Sequence, residues 1–122
     1  MTKAIRGAIS ANSNTACDIS SAACELFTQL LSCNKINEED IVCLIISHTK
    51  DLTALNSASA LRKAGLCTSV PLFCVQEAQI DGSMPLMIRM MALTEAPIEK
   101  IQHVYLKEAI KLRPDLASRI CN

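Results

Sequence analysis

Aromatic side chains are nearly absent from this chain of 122 residues, which has no tryptophan and only Phe27, Phe73 and Tyr105. Its 12 basic and 12 acidic residues also leave no net charge. Proteins that bind nucleic acid use positive charge to attract phosphates and aromatic rings to stack on bases. Because both features are missing, we exclude nucleic acid as a partner.

Long apolar runs are missing as well. No segment approaches the roughly 18 apolar residues needed to cross a bilayer, so we expect no membrane partner. The N-terminal segment MTKAIRGAIS lacks the apolar core of a signal peptide. We therefore expect a soluble, cytoplasmic protein.

The cysteine pattern excludes the common metal and redox motifs. Seven cysteines cannot all pair within one chain, no C-x-x-C pair occurs, and neither His48 nor His103 belongs to a group with metal-ligand spacing. We expect free thiols in a reducing compartment, with no metal and no cofactor. The cysteines are Cys17, Cys24, Cys33, Cys43, Cys67, Cys74 and Cys121.

Hydrophobic periodicity predicts one α/β (α+β) domain over residues 1–122, with a single mixed five-stranded sheet and two helices. Helical spacing and capping residues place the helices at 16–33 and 58–64, the second ending at Gly65. Alternating or β-branched runs place the strands at 4–9, 41–47, 68–75, 86–94 and 101–106. The tail at 111–116 is predicted to be extended because Pro114 restricts the residue before it.

Two of these strands, 41–47 and 86–94, are apolar on both sides. Such strands are covered on both faces, and two helices cover only one face of a sheet. A symmetric oligomer is the simplest cover for the other face.

Arg89 lies within the apolar run of residues 86–93, so the sequence predicts that its side chain is buried. A buried guanidinium requires a partner or a ligand for its charge. The turn signal Asp81-Gly82-Ser83 predicts a hairpin that sets Glu77 opposite Arg89. Arg6 poses the same question, and its neighbour Gly7 suggests a bulge or a tight backbone approach. A structural ion pair and a ligand site both fit these residues.

Several motifs together resemble the small monofunctional bacterial chorismate mutases of the non-helical, trimeric class. They are IRGA at 5–8, D-L-x-A-x-x-x-A-x-A-x-R at 51–62, V-P-x-x-C-x-Q-E at 70–77, IR at 88–89, HVYL at 103–106 and LRPDL at 112–116. The resemblance runs through nearly the whole chain in order. It implies a barrel-like homotrimer with active sites between subunits, and rearrangement of chorismate to prephenate for phenylalanine and tyrosine biosynthesis.

The resemblance also implies roles for individual residues. Arg89 would donate to the ether oxygen and a carboxylate of chorismate, Arg6 would bind a carboxylate, and Glu77 would receive the ring hydroxyl. These three would be the catalytic residues. Further substrate-binding residues would be Phe73, Cys74 through its main chain, Val75, Gln76 and Tyr105, and secondary ones would be Ala58, Ser59, Arg62, Leu112 and Arg113.

One segment departs from the pattern of this family. Where relatives commonly carry Phe-Pro-Ala and a basic residue, this chain has Asn56-Ser57-Ala58-Ser59. We expect this difference to change the contacts at the entrance of the site and the affinity for the substrate, more than the rearrangement step. Because of these changes, a trimeric dicarboxylate-binding protein without catalysis stays open as an alternative. A second alternative is another small trimeric enzyme that uses a buried arginine and glutamate, similar to imine deaminases.

Overall fold

A single five-stranded sheet organises the fold in the computed structural model, which describes residues 1–117. The strands are β1 (Lys3–Ser10), β2 (Ile41–His48), β3 (Leu72–Gln76), β4 (Met87–Thr94) and β5 (Val104–Leu106). The helices are α1 (Ala16–Asn34), α2 (Ser57–Lys63) and α3 (Pro114–Ala117), and two 3₁₀ helices span Glu38–Asp40 and Lys107–Leu112.

The sheet is mixed, as the sequence predicts, and its strand order is β3-β2-β4-β1-β5. Strand β4 runs antiparallel to both β1 and β2, whereas the two outer pairs, β2 with β3 and β1 with β5, are parallel. The predicted hairpin between β3 and β4 is therefore wrong, since β2 lies between them. Turn residues show where the chain reverses but do not specify which strands pair.

Helix α1 covers one face of the sheet. Thr15 caps its first turn by accepting a hydrogen bond from the Asp18 N–H, and Lys35 ends it in the left-handed conformation. The side chains predicted from helical spacing are buried, among them Ile19, Leu26 and Phe27, and the helix packs against β1, β5 and α2. Fully burying each of these side chains contributes about 2 kcal/mol.

The opposite face of the sheet carries large apolar side chains that residues 1–117 leave exposed. Ile45, Phe73, Val75 and Met91 are all among the exposed hydrophobic residues. Within residues 1–117, only one end of this face is covered, where the 3₁₀ helix Lys107–Leu112 packs over a small apolar cluster. We call this surface the open face of the sheet.

Several predicted boundaries differ from those observed. Strand β3 begins at Leu72 and not at residue 68, and β5 begins at Val104 and not at residue 101. The tail is also wrong: residues predicted to be extended form the end of a 3₁₀ helix and α3. Arg113 is non-helical, as a residue before proline should be. Pro114, however, opens the next helix, a position that proline favours.

The cysteine prediction holds for five thiols and fails for one residue. Among the described residues, Cys17, Cys24, Cys43, Cys67 and Cys74 are free. Cys33 is disulfide-bonded, so the expectation of free thiols is wrong there. Cys121 lies outside the described residues.

The helices do not include a membrane span. Among residues 1–117, none combines the length and apolar character required to cross a bilayer.

Candidate active site

Strand register places a row of side chains across the open face. Ser47 of β2 is the partner of Arg89 on β4, Arg89 is the partner of Ala8 on β1, and Ala8 is the partner of Tyr105 on β5. Side chains at paired positions lie on the same face of a sheet. Because Ser47 and Ala8 are small, the row leaves space on both sides of the Arg89 side chain.

Arg89 forms an ion pair with Glu77, whose position follows the end of β3. The Arg89 Nε and Glu77 Oε1 are 2.7 Å apart. The main-chain N–H of Glu77 donates to the His48 carbonyl at 2.7 Å, which continues the β2–β3 ladder beyond β3. The predicted pairing of these two charges is confirmed, although β2 and not a hairpin brings them together.

The predicted burial of Arg89 is wrong for the single chain, because 46% of its side-chain surface is exposed while Glu77 keeps 19%. The apolar pattern of β4 is nevertheless typical of a strand that is covered on both faces. Within residues 1–117, nothing covers the open face at Arg89. The guanidinium thus points into a space that a ligand or another chain can fill.

Arg6 brings a second cation to the same cavity of about 210 Å³, which Ser47, Arg89 and Tyr105 also line. Among the described residues, the Arg6 guanidinium has no ion-pair partner. Its main-chain N–H donates to Nδ1 of His103 at 3.1 Å. Two guanidiniums line the cavity, and among the described residues only that of Arg89 has a carboxylate partner, so the excess of positive charge suits an anionic ligand.

Strand β3 divides its side chains between the two faces. Phe73 and Val75 lie on the open face and are exposed, whereas Cys74 lies on the other face and contacts His48. Cys74, Val75 and Gln76 line a separate cavity of about 280 Å³. In the single chain, therefore, these predicted substrate-binding residues do not line the Arg6 and Arg89 cavity. Glu77 and its ion pair connect the two regions.

Helix α2 lies away from the two guanidiniums of the cavity. Its residue Arg62 donates hydrogen bonds of 3.1 to 3.2 Å to the carbonyls of Cys67, Thr68 and Val70 and so holds the loop after the helix. Ser59 is exposed, and Ala58 is half-buried. None of these three predicted secondary residues of α2 lines the cavity with Arg89.

The C-terminal segment covers the Tyr105 end of the row. Leu112 packs against the apolar cluster that contains Ala8 and Met87, beside Tyr105. Arg113 pairs with Asp115 at 2.9 Å and lies close enough to Tyr105 to interact with it electrostatically. The structure thus brings the two predicted tail residues next to the cavity.

Sequence reasoning did not select Ser47 or His48 for the site. Both residues follow the apolar run of β2, and polar residues at the end of a buried strand are a signal that could have identified them. Among residues 1–117, no three His, Cys, Asp or Glu side chains cluster closely enough to hold a metal ion.

Both histidines should make the folded protein sensitive to acid. Burial lowers the pKa of His48 below its ordinary value of 6.5. Burial, followed by the nearby charges of Arg6 and Arg113, lowers the pKa of His103 from the same value. Between the folded and unfolded pKa values the unfolded chain binds more protons, so stability is lost as the pH falls below 6.5.

The measurement is urea unfolding at about pH 7.5 and about pH 5.5, in the range where histidine titrates. We expect the free energy of unfolding to fall at the lower pH. A variant carrying both His48→Gln and His103→Gln should lose part of that fall. An equal fall in wild type and variant would show that these two histidines are not its cause.

Comparisons with known proteins identify the family. The family described as "Chorismate mutase type I" matches residues 2–116. The chain is 40% identical over 121 residues to a protein named chorismate mutase AroH from Thermus thermophilus, covering 97% of this chain and 98% of that one. A protein of the same name from Bacillus subtilis is 34% identical over 119 residues, covering 96% and 94%.

A solved structure agrees with the sequence comparisons. The structure titled as chorismate mutase from Clostridium thermocellum superposes with a TM-score of 0.83 at 38% identity, covering 88% of this chain and 96% of that one. This TM-score means that the two proteins share the sheet-based fold described above. This chain belongs to the chorismate mutase type I family.

Proposed function

We propose that this chain catalyses the rearrangement of chorismate to prephenate, a step of aromatic amino-acid biosynthesis. One observation carries the proposal beyond family membership. The Arg89 guanidinium is held by Glu77 in a cavity that it shares with Arg6 and Tyr105. These residue types match the charges and the hydroxyl of the substrate.

The rearrangement needs restraint and charge stabilisation more than proton transfer. Chorismate carries two carboxylates, a ring hydroxyl and an enolpyruvyl ether. Its rearrangement breaks a C–O bond and forms a C–C bond within one molecule, so no nucleophile or general acid is required. An enzyme accelerates it by holding the side chain folded over the ring and by stabilising negative charge on the ether oxygen.

The guanidiniums supply both effects. Arg89 donates to the ether oxygen and to one carboxylate, and Arg6 binds a carboxylate. Glu77 keeps the Arg89 guanidinium oriented and accepts a hydrogen bond from the ring hydroxyl, which also contacts the Cys74 main chain. Tyr105 contacts a carboxylate from the far end of the row. Arg89 therefore has the largest role in the chemical step.

The remaining predicted residues form the surroundings of the substrate. They comprise wall residues on β3, entrance residues on α2 and residues of the C-terminal segment that closes over the site. They are Phe73, Val75, Gln76, Ala58, Ser59, Arg62, Leu112 and Arg113. Since the α2 and β3 residues lie apart from the Arg89 cavity in one chain, we propose that neighbouring subunits complete each site.

We further propose that three chains assemble through the open face. Its exposed apolar side chains, Ile45, Phe73, Val75 and Met91, need a cover that residues 1–117 of one chain do not provide. A closed, symmetric assembly gives every subunit the same cover. It also excludes water around Arg89, which strengthens each charge interaction there.

Ile45→Lys tests this assembly because it places a charge on the open face. Light scattering of the wild type should give three times the mass of one chain, and Ile45→Lys should give the mass of one chain at micromolar concentration. Ile80→Lys is the matched control, since Ile80 is 64% exposed in the loop after β3. Loss of assembly in both variants, or in neither, would count against the open face as the interface.

The direct test of function is the ultraviolet loss of chorismate on adding purified protein, with prephenate identified as the product. Prephenate binding by calorimetry without turnover would indicate the dicarboxylate-binding alternative instead. Release of ammonia from an imine would indicate a deaminase. That reaction needs a water activated for attack, and the Glu77 carboxylate is already engaged by the Arg89 guanidinium at 2.7 Å.

A further inference from the structure

We propose that His48 is a positioning residue for the rearrangement, an inference that rests on the proposed function. His48 ends β2 and is 9% exposed. It contacts both residues assigned to the ring hydroxyl of the substrate. Its carbonyl accepts the Glu77 N–H at 2.7 Å, and its Nε2 lies 3.7 Å from the Cys74 Sγ.

The His48 ring also fastens the start of α2. Its Nε2 lies 2.6 Å from the hydroxyl of Ser57, the first residue of α2, which is fully buried. Burial lowers the pKa of His48 below its ordinary value of 6.5, which favours the neutral ring at pH 7. A neutral ring forms this bond in either tautomer, because a serine hydroxyl both donates and accepts.

Cys74 closes the cluster from the side of β3. Its Sγ lies 3.7 Å from Nε2 of His48, and burial raises the pKa of the Cys74 thiol, so it remains protonated. One small polar cluster therefore joins three elements: the end of β2, the first turn of α2 and the middle of β3. We call His48, Ser57 and Cys74 the β2–α2 latch.

The latch fixes the segment that recognises the hydroxyl. Removing the imidazole leaves the buried Ser57 hydroxyl without its partner and opens a gap beside Cys74. The chain from Cys74 to Glu77 then loses its lateral support, and small displacements of contact groups are costly in enzymes. Because the ring hydroxyl is bound in both the ground state and the transition state, the loss should fall on KM more than on kcat.

The first test compares His48→Leu with the wild type. We expect KM for chorismate to rise about tenfold, the effect of losing one buried hydrogen bond, while kcat changes by less than about threefold. His48→Gln places an amide near the former Nε2 and should return KM to within about threefold of wild type. Ser57→Ala, which removes the other half of the bond, should raise KM as His48→Leu does.

Thr94→Val is the matched control. Thr94 is fully buried at the far end of β4, and its hydroxyl donates to the Asp40 carbonyl at 2.8 Å. The variant loses a buried hydrogen bond of the same kind, far from the row that contains Arg89. It should lower the melting temperature without changing KM.

A second readout uses a ring-deoxy analogue of chorismate. Wild type should prefer chorismate, and His48→Leu should lose most of this preference because only contacts to the hydroxyl are loosened. A purely structural role of His48 would lower kcat/KM equally for both substrates.

Two outcomes overturn the inference while the function stands: an active His48→Leu enzyme with wild-type KM and preference, or a KM shift of the same size in Thr94→Val. If His48→Leu does not fold, the same criteria apply to Ser57→Ala. Absence of turnover in the wild type would instead overturn the proposed function and, with it, this role of His48.

Discussion

Arg89→Ala is expected to lower kcat/KM for chorismate by on the order of a hundredfold or more, the scale of losing one donor that stabilises developing negative charge. Most of the loss should appear in kcat, because the ether oxygen gains its charge only in the transition state. The variant should remain folded, since the Arg89 side chain is 46% exposed and packs little of the core.

Two further variants test whether the loss of activity is specific to the guanidinium of Arg89. Arg89→Lys keeps the positive charge but loses the planar pair of donors, so it should recover only a small part of the activity. Lys63→Ala removes a cation from the exposed side of α2 and should retain wild-type turnover. Wild-type turnover in Arg89→Ala would show that another group stabilises the transition state, and it would remove the observation that carries the proposed function.

The need for a partner at Arg89 could be predicted from the sequence, although the hairpin from which its pairing with Glu77 is predicted does not form. An arginine in an apolar strand requires a carboxylate or a ligand, and Glu77 is the carboxylate that ends the preceding β3 pattern. Local rules predicted α1, α2 and the existence of five strands, because each of these elements depends on residues that are neighbours in the sequence.

The strand order could not be predicted in this way. Placing β2 between β3 and β4 depends on which long-range pairing buries most apolar surface, and no turn residue records that choice. The prediction that Arg89 is buried is the second one that is wrong. The apolar pattern of β4 is typical of a strand that is covered on both faces, whereas residues 1–117 of one chain cover only one of them at Arg89. The prediction of an extended tail is wrong because the restriction that Pro114 places on Arg113 does not extend to the residues after it, and proline favours the first turn of a helix.

Gly7 links the fold to the site, and its prediction as a point of tight backbone approach is confirmed. A Cβ atom at Gly7 would lie 2.8 Å from the Val104 carbonyl oxygen and 2.9 Å from Cδ1 of Leu26. Strand β5 therefore lies as close to β1 as it does because residue 7 has no side chain. Val104 is followed by Tyr105, so this approach also sets the end of the row of site residues.

Gly7→Ala is therefore expected to lower the free energy of unfolding by about 1 to 3 kcal/mol, and Gly7→Val by more, because the nearest atom is backbone and cannot rotate away. The steric cost should exceed the gain of under about 1 kcal/mol that replacing glycine brings through the unfolded state. Urea unfolding measures both variants. Folded Gly7→Ala should also show a raised KM, since β5 must move and carry Tyr105 with it. A Gly7→Ala protein as stable as wild type would mean that β5 shifts without a cost in free energy. If KM were then also unchanged, Tyr105 would not contribute to substrate binding.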